Sequence, residues 1–310
     1  MSRLARAPGR LAPGLLAAGL SLLPAAGAAH AQGAPAGAPP AVLAGKPAKQ
    51  LFGSVKAPAP PPSRAIGFYS KGCLAGGVAL PATGPTWQAM RPSRNRNWGH
   101  PQLVAFIERF ARTVPKVVSW NGILVGDLAQ PRGGPMLTGH ASHQIGLDAD
   151  IWLTPHPGRE LSREERDTMS ATIMVRADRL DIDPANWRPD HWKVIRLAAQ
   201  DPVVERVLVN AAIKKALCRE ATGNRAWLAK VRPYWGHDFH MHVRLGCPDD
   251  SPNCRPQEPV PHDEGCGAAL DMWFTDAVLH PKPPKEPPKP ERPMMLVDLP
   301  PACTGVLLAK

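Results

Sequence analysis

The chain has 310 residues and a formal net charge of +11, with 44% hydrophobic and 5% aromatic residues. Its length exceeds one average domain before the termini are set aside. The positive charge suits an anionic partner, but it is dispersed, without the dense Lys/Arg run of a nucleic-acid groove. Beyond the N-terminus no apolar stretch is long enough to cross a bilayer.

In chain order, residues 1–31 read as a secretory signal peptide. Arg3, Arg6 and Arg10 form a basic start, Leu11 to Leu23 a short apolar run, and Ala29-His30-Ala31 a small–x–small cleavage pattern. The run carries Pro13 and is too short for a membrane anchor. A soluble, exported protein is expected. Residues 32–64, rich in Ala, Pro and Gly, read as a spacer that buries little surface. Residues 65–280 have ordinary globular composition without a linker-like break and read as one domain. Residues 281–310 form a Pro/Lys-rich tail that contains Cys303.

Within the domain, Pro101 opens a helix whose Leu103, Phe106, Ile107 and Phe110 share one face. Ser162 and Glu165 form a capping box for a second helix. Asp190 is placed as the cap of a third, carrying Trp192, Ile195 and Ala198-Ala199 on one side. Val207-Leu208-Val209 reads as a strand, and Asn210 as the cap of a helix through Leu217. Leu147 to Leu153 and Phe239 to Leu245 alternate like half-buried strands. The mixture predicts an α+β domain, a mainly antiparallel sheet flanked by helices. The six cysteines, an even number in an exported chain, favour disulfides over a metal ribbon, since no CxxC is present; their pairing is open at this level.

The two alternating strands carry the chemistry. His240 and His242 share one face of the second, opposite Phe239, Met241 and Val243. Asp148 and Asp150 share one face of the first, opposite Leu147, Ala149, Ile151 and Leu153. His140 and His143 lie just upstream, and a turn at Gly146 would return His143 to Asp150. Imidazoles with a single carboxylate leave one tetrahedral position for water, the layout of a catalytic Zn2+ site; calcium or magnesium would need mainly oxygen ligands.

The pattern resembles a known family. A histidine and an aspartate (His143, Asp150) followed far downstream by H-x-H (His240, His242) is similar to the zinc peptidase superfamily of lysostaphin, D-Ala-D-Ala peptidases and Hedgehog-type domains. Further segments sharpen the likeness: Ser93-Arg94-Asn95-Arg96, Trp98-Gly99-His100-Pro101, Gly139-His140-Ala141-Ser142-His143-Gln144, Gly146 through Leu153, Lys230-Val231-Arg232-Pro233 and His240 through Leu245. They resemble the penicillin-insensitive murein endopeptidase family over residues 65 to 275. The resemblance implies His143, Asp150 and His242 as zinc ligands and His240 as catalytic base. It implies His140 and His237 as extra site histidines that orient water, stabilise an oxyanion or hold a second ion. It also implies disulfides Cys73–Cys303, Cys218–Cys266 and Cys247–Cys254. The implied substrate is the D-alanyl–meso-diaminopimelyl cross-link of peptidoglycan, and the implied compartment the periplasm. Asp148 is read either as a residue that fixes a ligand histidine or as an exposed strand acid.

His156, His191, His262 and His280 are taken as surface residues, and His100 is read either as lining the cleft or as part of a helix N-cap. Arg94, Arg96, Arg232 and Arg244 are suited to substrate carboxylates, although solvated arginines are commoner. The sequence lacks S-x-x-K, K-T-G, H-E-x-x-H and G-x-S-x-G, which argues against serine penicillin-binding enzymes, zincins and α/β-hydrolases. A D-Ala-D-Ala carboxypeptidase or dipeptidase on the same scaffold, and a non-catalytic wall-binding domain with a structural metal, are the competing readings.

Overall fold

The structure, a computed structural model, describes residue 43, residues 45–284, residue 286 and residues 291–310. The signal-peptide reading of residues 1–31 lies outside these residues. The first elements are α1 (Ala48–Ser54), β1 (Arg64–Phe68), β2 (Lys71–Ala75), β3 (Val78–Ala79), β4 (Thr83–Gly84), β5 (Trp87–Ala89) and β6 (Trp98–Gly99). Then follow α2 (Pro101–Val117), β7 (Ile123–Val125), β8 (Asp148–Trp152), α3 (Arg163–Thr168), α4 (Pro189–Gln200), β9 (Val204–Val209) and α5 (Ala211–Glu220). The last are β10 (Val231–Pro233), β11 (His240–Leu245), α6 (Ala268–Asp271), α7 (Asp276–Leu279) and α8 (Ala302–Leu308).

Seven strands form the central sheet in the order β10-β9-β11-β8-β7-β5-β4. β10–β9 and β7–β5 are parallel and the other pairs antiparallel, so the domain is α+β with a mainly antiparallel sheet. The two alternating segments of the sequence are β8 and β11, hydrogen-bonded neighbours at its centre. One face of this pair packs into the core through Ala149, Ile151, Met241 and Val243, joined by Leu103, Phe106 and Ile107 of α2. Each of these side chains larger than alanine contributes roughly 1.5–3 kcal/mol by leaving water.

The expectation that β8 and β11 are half-buried is corrected: every residue of both strands is buried. Alternation reported which face is polar, not whether that face is wet. The segments covering it come from elsewhere in the chain.

Local signals act as their chemistry requires. His100 caps α2, its Nδ1 accepting from the Gln102 backbone N–H, with Pro101 in the first turn. Ser162 and Glu165 form the reciprocal capping box of α3, and the Asn210 side chain caps α5. The expected cap at Asp190 is not observed: α4 begins at Pro189 with Arg188 in the cap position. Asp190 instead lies in the first turn and accepts from the backbone N–H and hydroxyl of Ser119. A proline that starts a helix sets the boundary one residue ahead of an acid that favours the first turn electrostatically.

The disulfides are Cys73–Cys303, Cys218–Cys266 and Cys247–Cys254. The first spans 230 residues and the last 7. On a chain-entropy account these correspond to about 5 and about 2 kcal/mol. The long one fastens α8 to β2. There α1 joins them in a second apolar cluster with Phe52, Cys73, Leu296, Cys303 and Leu307. Arg132 reinforces the junction by donating to the carbonyls of Val306 and Leu307. The stretch read as a low-burial spacer thus contains a packed helix: Phe52, the one large aromatic in that composition, is 1% exposed.

Candidate active site

Strand register assembles the site. His242 lies opposite Asp150, Arg244 opposite Asp148 and His240 opposite Trp152, and residues facing each other across a ladder share a face. His143 arrives from the preceding loop. Gly146 turns the chain with φ +73, and a Cβ there would meet Leu74 Cδ2 at 2.7 Å. His143 itself has φ +66, an uncommon state for a non-glycine residue. Its backbone N–H donates to Asp148 Oδ2 at 2.9 Å, which holds the turn closed.

Four imidazoles surround the Asp150 carboxylate. Oδ1 lies 3.4 Å from His143 Nε2, 3.2 Å from His242 Nδ1 and 3.6 Å from His240 Nε2. Oδ2 lies 3.5 Å from His140 Nδ1. His237, with φ +54, lies beside His240 with the rings tilted and their centroids 4.7 Å apart. Donor atoms of His140, His143 and Asp150 all lie within 4.8 Å of one another, so this cluster could coordinate a metal ion. The cluster also holds an unusual number of dissatisfied groups. His143 Nδ1 and Nε2, Asp150 Oδ1 and His240 Nδ1 are buried without a hydrogen-bond partner. Buried polar atoms are normally paired, so such a concentration calls for an explanation, and a divalent cation fits this donor set.

Two buried acids orient the ring. Asp148 Oδ1 takes His242 Nε2 at 3.0 Å and Arg244 Nε at 2.7 Å, leaving His242 Nδ1 toward Asp150. Asp148 is fully buried, which removes the reading of it as an exposed strand acid. Asp127 Oδ2 takes His140 Nε2 at 3.1 Å, Arg96 at 2.9 Å and Arg94 at 3.0 Å. Its position is fixed by backbone bonds between the loop after β7 and β8: Asp150 N–H donates to Asp127 O and Gly126 N–H to Asp150 O.

Burial opposes charge on all three aspartates, but the neighbouring cations prevail. Asp127 is drawn down to about 2 by His140, Arg96 and Arg94. Asp148 is held far below the usual carboxylate range by Arg244 and His242, and Asp150 by His240 and His143. The histidines divide. Burial lowers His143 and His240, and burial with the fields of His240 and His242 takes His237 to about 4. Burial also works against charge on His140 and His242, but the Asp127 hydrogen bond raises the first, and Asp148 lifts the second to about 9.

The family profile described as penicillin-insensitive murein endopeptidase matches residues 65–308. The penicillin-insensitive murein endopeptidase of Yersinia enterocolitica is 43% identical over 244 residues, covering 79% of this chain and 85% of that protein. That of Haemophilus influenzae is 44% identical over 225 residues, 73% of this chain and 74% of the relative. An Escherichia coli enzyme of the same name is 42% identical over 254 residues, 81% and 88%. The chain belongs to the penicillin-insensitive murein endopeptidase family.

In this family member the surface assignment holds for only some of the remaining histidines. His262 and His280 are exposed. His191 is 3% exposed: it stacks on Trp187 and reaches the Leu153 carbonyl. His100, 2% exposed, takes its helix-cap alternative and also lies beside Asp250. His156, partly buried, contacts Gln88. Arg96 and Arg244 are buried in ion pairs with Asp127 and Asp148, not solvated. Asp127 escaped sequence reasoning because a lone aspartate after a three-residue strand has no pattern to reveal it. Among the described residues no helix is long and apolar enough to cross a membrane.

Proposed function

We propose that the protein is a zinc-dependent periplasmic endopeptidase that hydrolyses D-alanyl–meso-diaminopimelyl cross-links in peptidoglycan. Residues 65–280 form its catalytic domain, residues 1–31 its export signal, 32–64 its spacer, and 281–310 a tail returned by Cys303. The observation that carries this reading is the convergence of His143, His242 and His240 on one buried carboxylate, Asp150, in a member of a murein endopeptidase family.

His143, Asp150 and His242 would hold the ion. The Asp148–His242 contact is the carboxylate–histidine pairing that fixes a ligand tautomer, and the orphaned atoms of His143 and Asp150 would find their partner. Zinc bound there acidifies water to near-neutral pKa and polarises a carbonyl.

The remaining residues divide the proton work. His240, kept neutral by burial, accepts a proton at neutral pH. His237 is also neutral, and its Nδ1–H donates to the Trp235 carbonyl at 2.7 Å, leaving Nε2 as an acceptor. His140, inclined to protonation by Asp127, is the better donor toward an oxyanion. Imidazoles with pKa values pushed in opposite directions allow base and electrophile to coexist at one pH. Two cavities border the cluster. One of about 310 Å³ contains Arg94, Trp152, Phe239 and His240, the other of about 520 Å³ contains Tyr69, Arg232, His237 and His242. Space at both supports a substrate extending on either side of the cleaved bond.

Digestion of purified cross-linked muropeptides, with and without chelator, tests the reading. Dimers should become monomers only when metal is present; trimming of chain ends with dimers intact would instead establish a carboxypeptidase. His240→Ala should keep stoichiometric zinc and lose about 10²–10⁴-fold in rate, the usual worth of a general base. Unchanged hydrolysis would refute the assigned base.

A further inference from the structure

The polar face that carries the histidines continues across the sheet. β11 pairs with β9 so that His242 faces Leu208 and Arg244 faces Arg206. β10 pairs with β9 so that Arg232 faces Leu208. Arg244, Arg206 and Arg232 therefore stand on the face of the metal-ligating cluster, and all three line the larger cavity beside His242.

Their charges are not equally balanced. Arg244 is neutralised by Asp148 at 2.7 Å, and its guanidinium lies 4.1 Å from the Tyr69 ring centroid. Among the described residues no carboxylate lies within 4.0 Å of Arg206 or Arg232. Arg206 Nη2 donates to the Glu258 carbonyl, but its Nε is buried without a partner, as is Arg232 Nη1. The nearby acids are engaged elsewhere: Glu264 with Arg225 at 2.7 Å and Glu205 with the Tyr69 hydroxyl. Burial lowers the Arg206 pKa; Glu205 offsets part of that, and Arg244 and Arg232 add to it. Arg232 is accommodated by a missing side chain, since a Cβ on Gly265 would lie 2.8 Å from its Nη1. The neighbouring Cys266 fixes that segment to α5 through Cys218. A disulfide-braced cradle thus holds a guanidinium that has no anion.

We infer that Arg206 and Arg232 form a carboxylate subsite that recognises the free carboxylate on the carbon bearing the scissile nitrogen. Two guanidinium groups without a carboxylate partner offer planar donors matched to a carboxylate. The subsite is close to the chemistry: Arg232 is two strands from His242, about 10 Å between backbones. A carboxylate adjacent to the cleaved amide stays within that reach, and in the D-alanyl–diaminopimelyl bond the amine side carries one. The subsite would thereby select cross-links over amides lacking that group. This inference rests on the endopeptidase reading.

The test compares kcat/KM for a cross-linked dimer, the same dimer with the amine-side carboxylate converted to a carboxamide, and a dimer amidated on the carbonyl-side stem. Wild-type protein should cut the free-acid dimer about ten- to a hundredfold faster than the amine-side amide, and the carbonyl-side amide at nearly the free-acid rate. In Arg206→Gln and Arg232→Gln, with zinc content verified, the ratio should fall toward one, and Arg232→Lys should recover part of it. Equal wild-type rates on all three dimers overturn the subsite while leaving the endopeptidase intact. Discrimination at the carbonyl side, or a ratio untouched in both variants, overturns the assignment of these arginines. Cleavage of none of the dimers defeats the endopeptidase reading itself. The wild-type ratio decides even where a variant does not fold.

Discussion

Asp150 and Ile151 are neighbours on one strand, both buried, yet they belong to regions built on opposite principles. Ile151 and its facing Met241 are fully buried among aliphatic side chains, where stability grows with area removed from water and no partner is specified. Asp150 and its facing His242 are buried among charges, where each group is tolerable only because another stands beside it. One face is satisfied by neighbours of suitable volume. The other leaves His143, His240 and Asp150 with atoms that no protein group satisfies. A folded chain that buries such atoms at one spot has spent stability on a site for something from outside.

Breaking the polar side should have the largest effect. Asp150→Ala should abolish metal retention and lower hydrolysis by about a thousandfold or more, read by metal analysis and muropeptide turnover. On the apolar face the effect should move to stability. Ile151→Ala should lose about 2–5 kcal/mol in denaturant unfolding, while folded enzyme at low temperature keeps its metal stoichiometry. Asp148→Asn should weaken metal affinity by about 10–100-fold, measured by competition with a chelator, since it loosens both His242 and Arg244.

The smallest effect concerns Lys214, fully buried on α5, which donates to the carbonyls of Leu228 and Glu264. Burial, then the field of Arg232, lowers its pKa to about 7. The unfolded chain therefore binds more protons than the folded one between about pH 7 and the ordinary lysine value. Stability should rise with pH through that window, by at most about 1.4 kcal/mol per pH unit. Lys214→Met should flatten that slope in unfolding titrations; an unchanged slope would show that Lys214 stays charged when buried.

The contrast between the faces also explains what the sequence could disclose. Period-two alternation in Leu147–Leu153 and Phe239–Leu245 is a local property, and it identified both strands and which residues share a face. Caps at Ser162 and Asn210 were legible for the same reason. What covers the polar face was not. The loops bearing Asp127 and His237 carry no periodic signal, and His237 adopts positive φ without being glycine; His143 was the exception, since the turn at Gly146 already returned it to Asp150. Asp148 could not be separated from an exposed acid until the register set it against Arg244. Arg206 went unnoticed because its significance is the absence of a partner, a property of three paired strands and not of any residue type. His191 was misplaced at the surface because a histidine in an aromatic stack carries no mark in composition, whereas the helix-cap alternative for His100 was legible from the proline that follows it.

The most direct test of the account is anomalous diffraction at the zinc edge from crystals of the mature protein. The account predicts one zinc ion held by His143, Asp150 and His242, with a coordination position left to solvent. A zinc ion elsewhere, or one whose every position is filled by protein atoms, would contradict it.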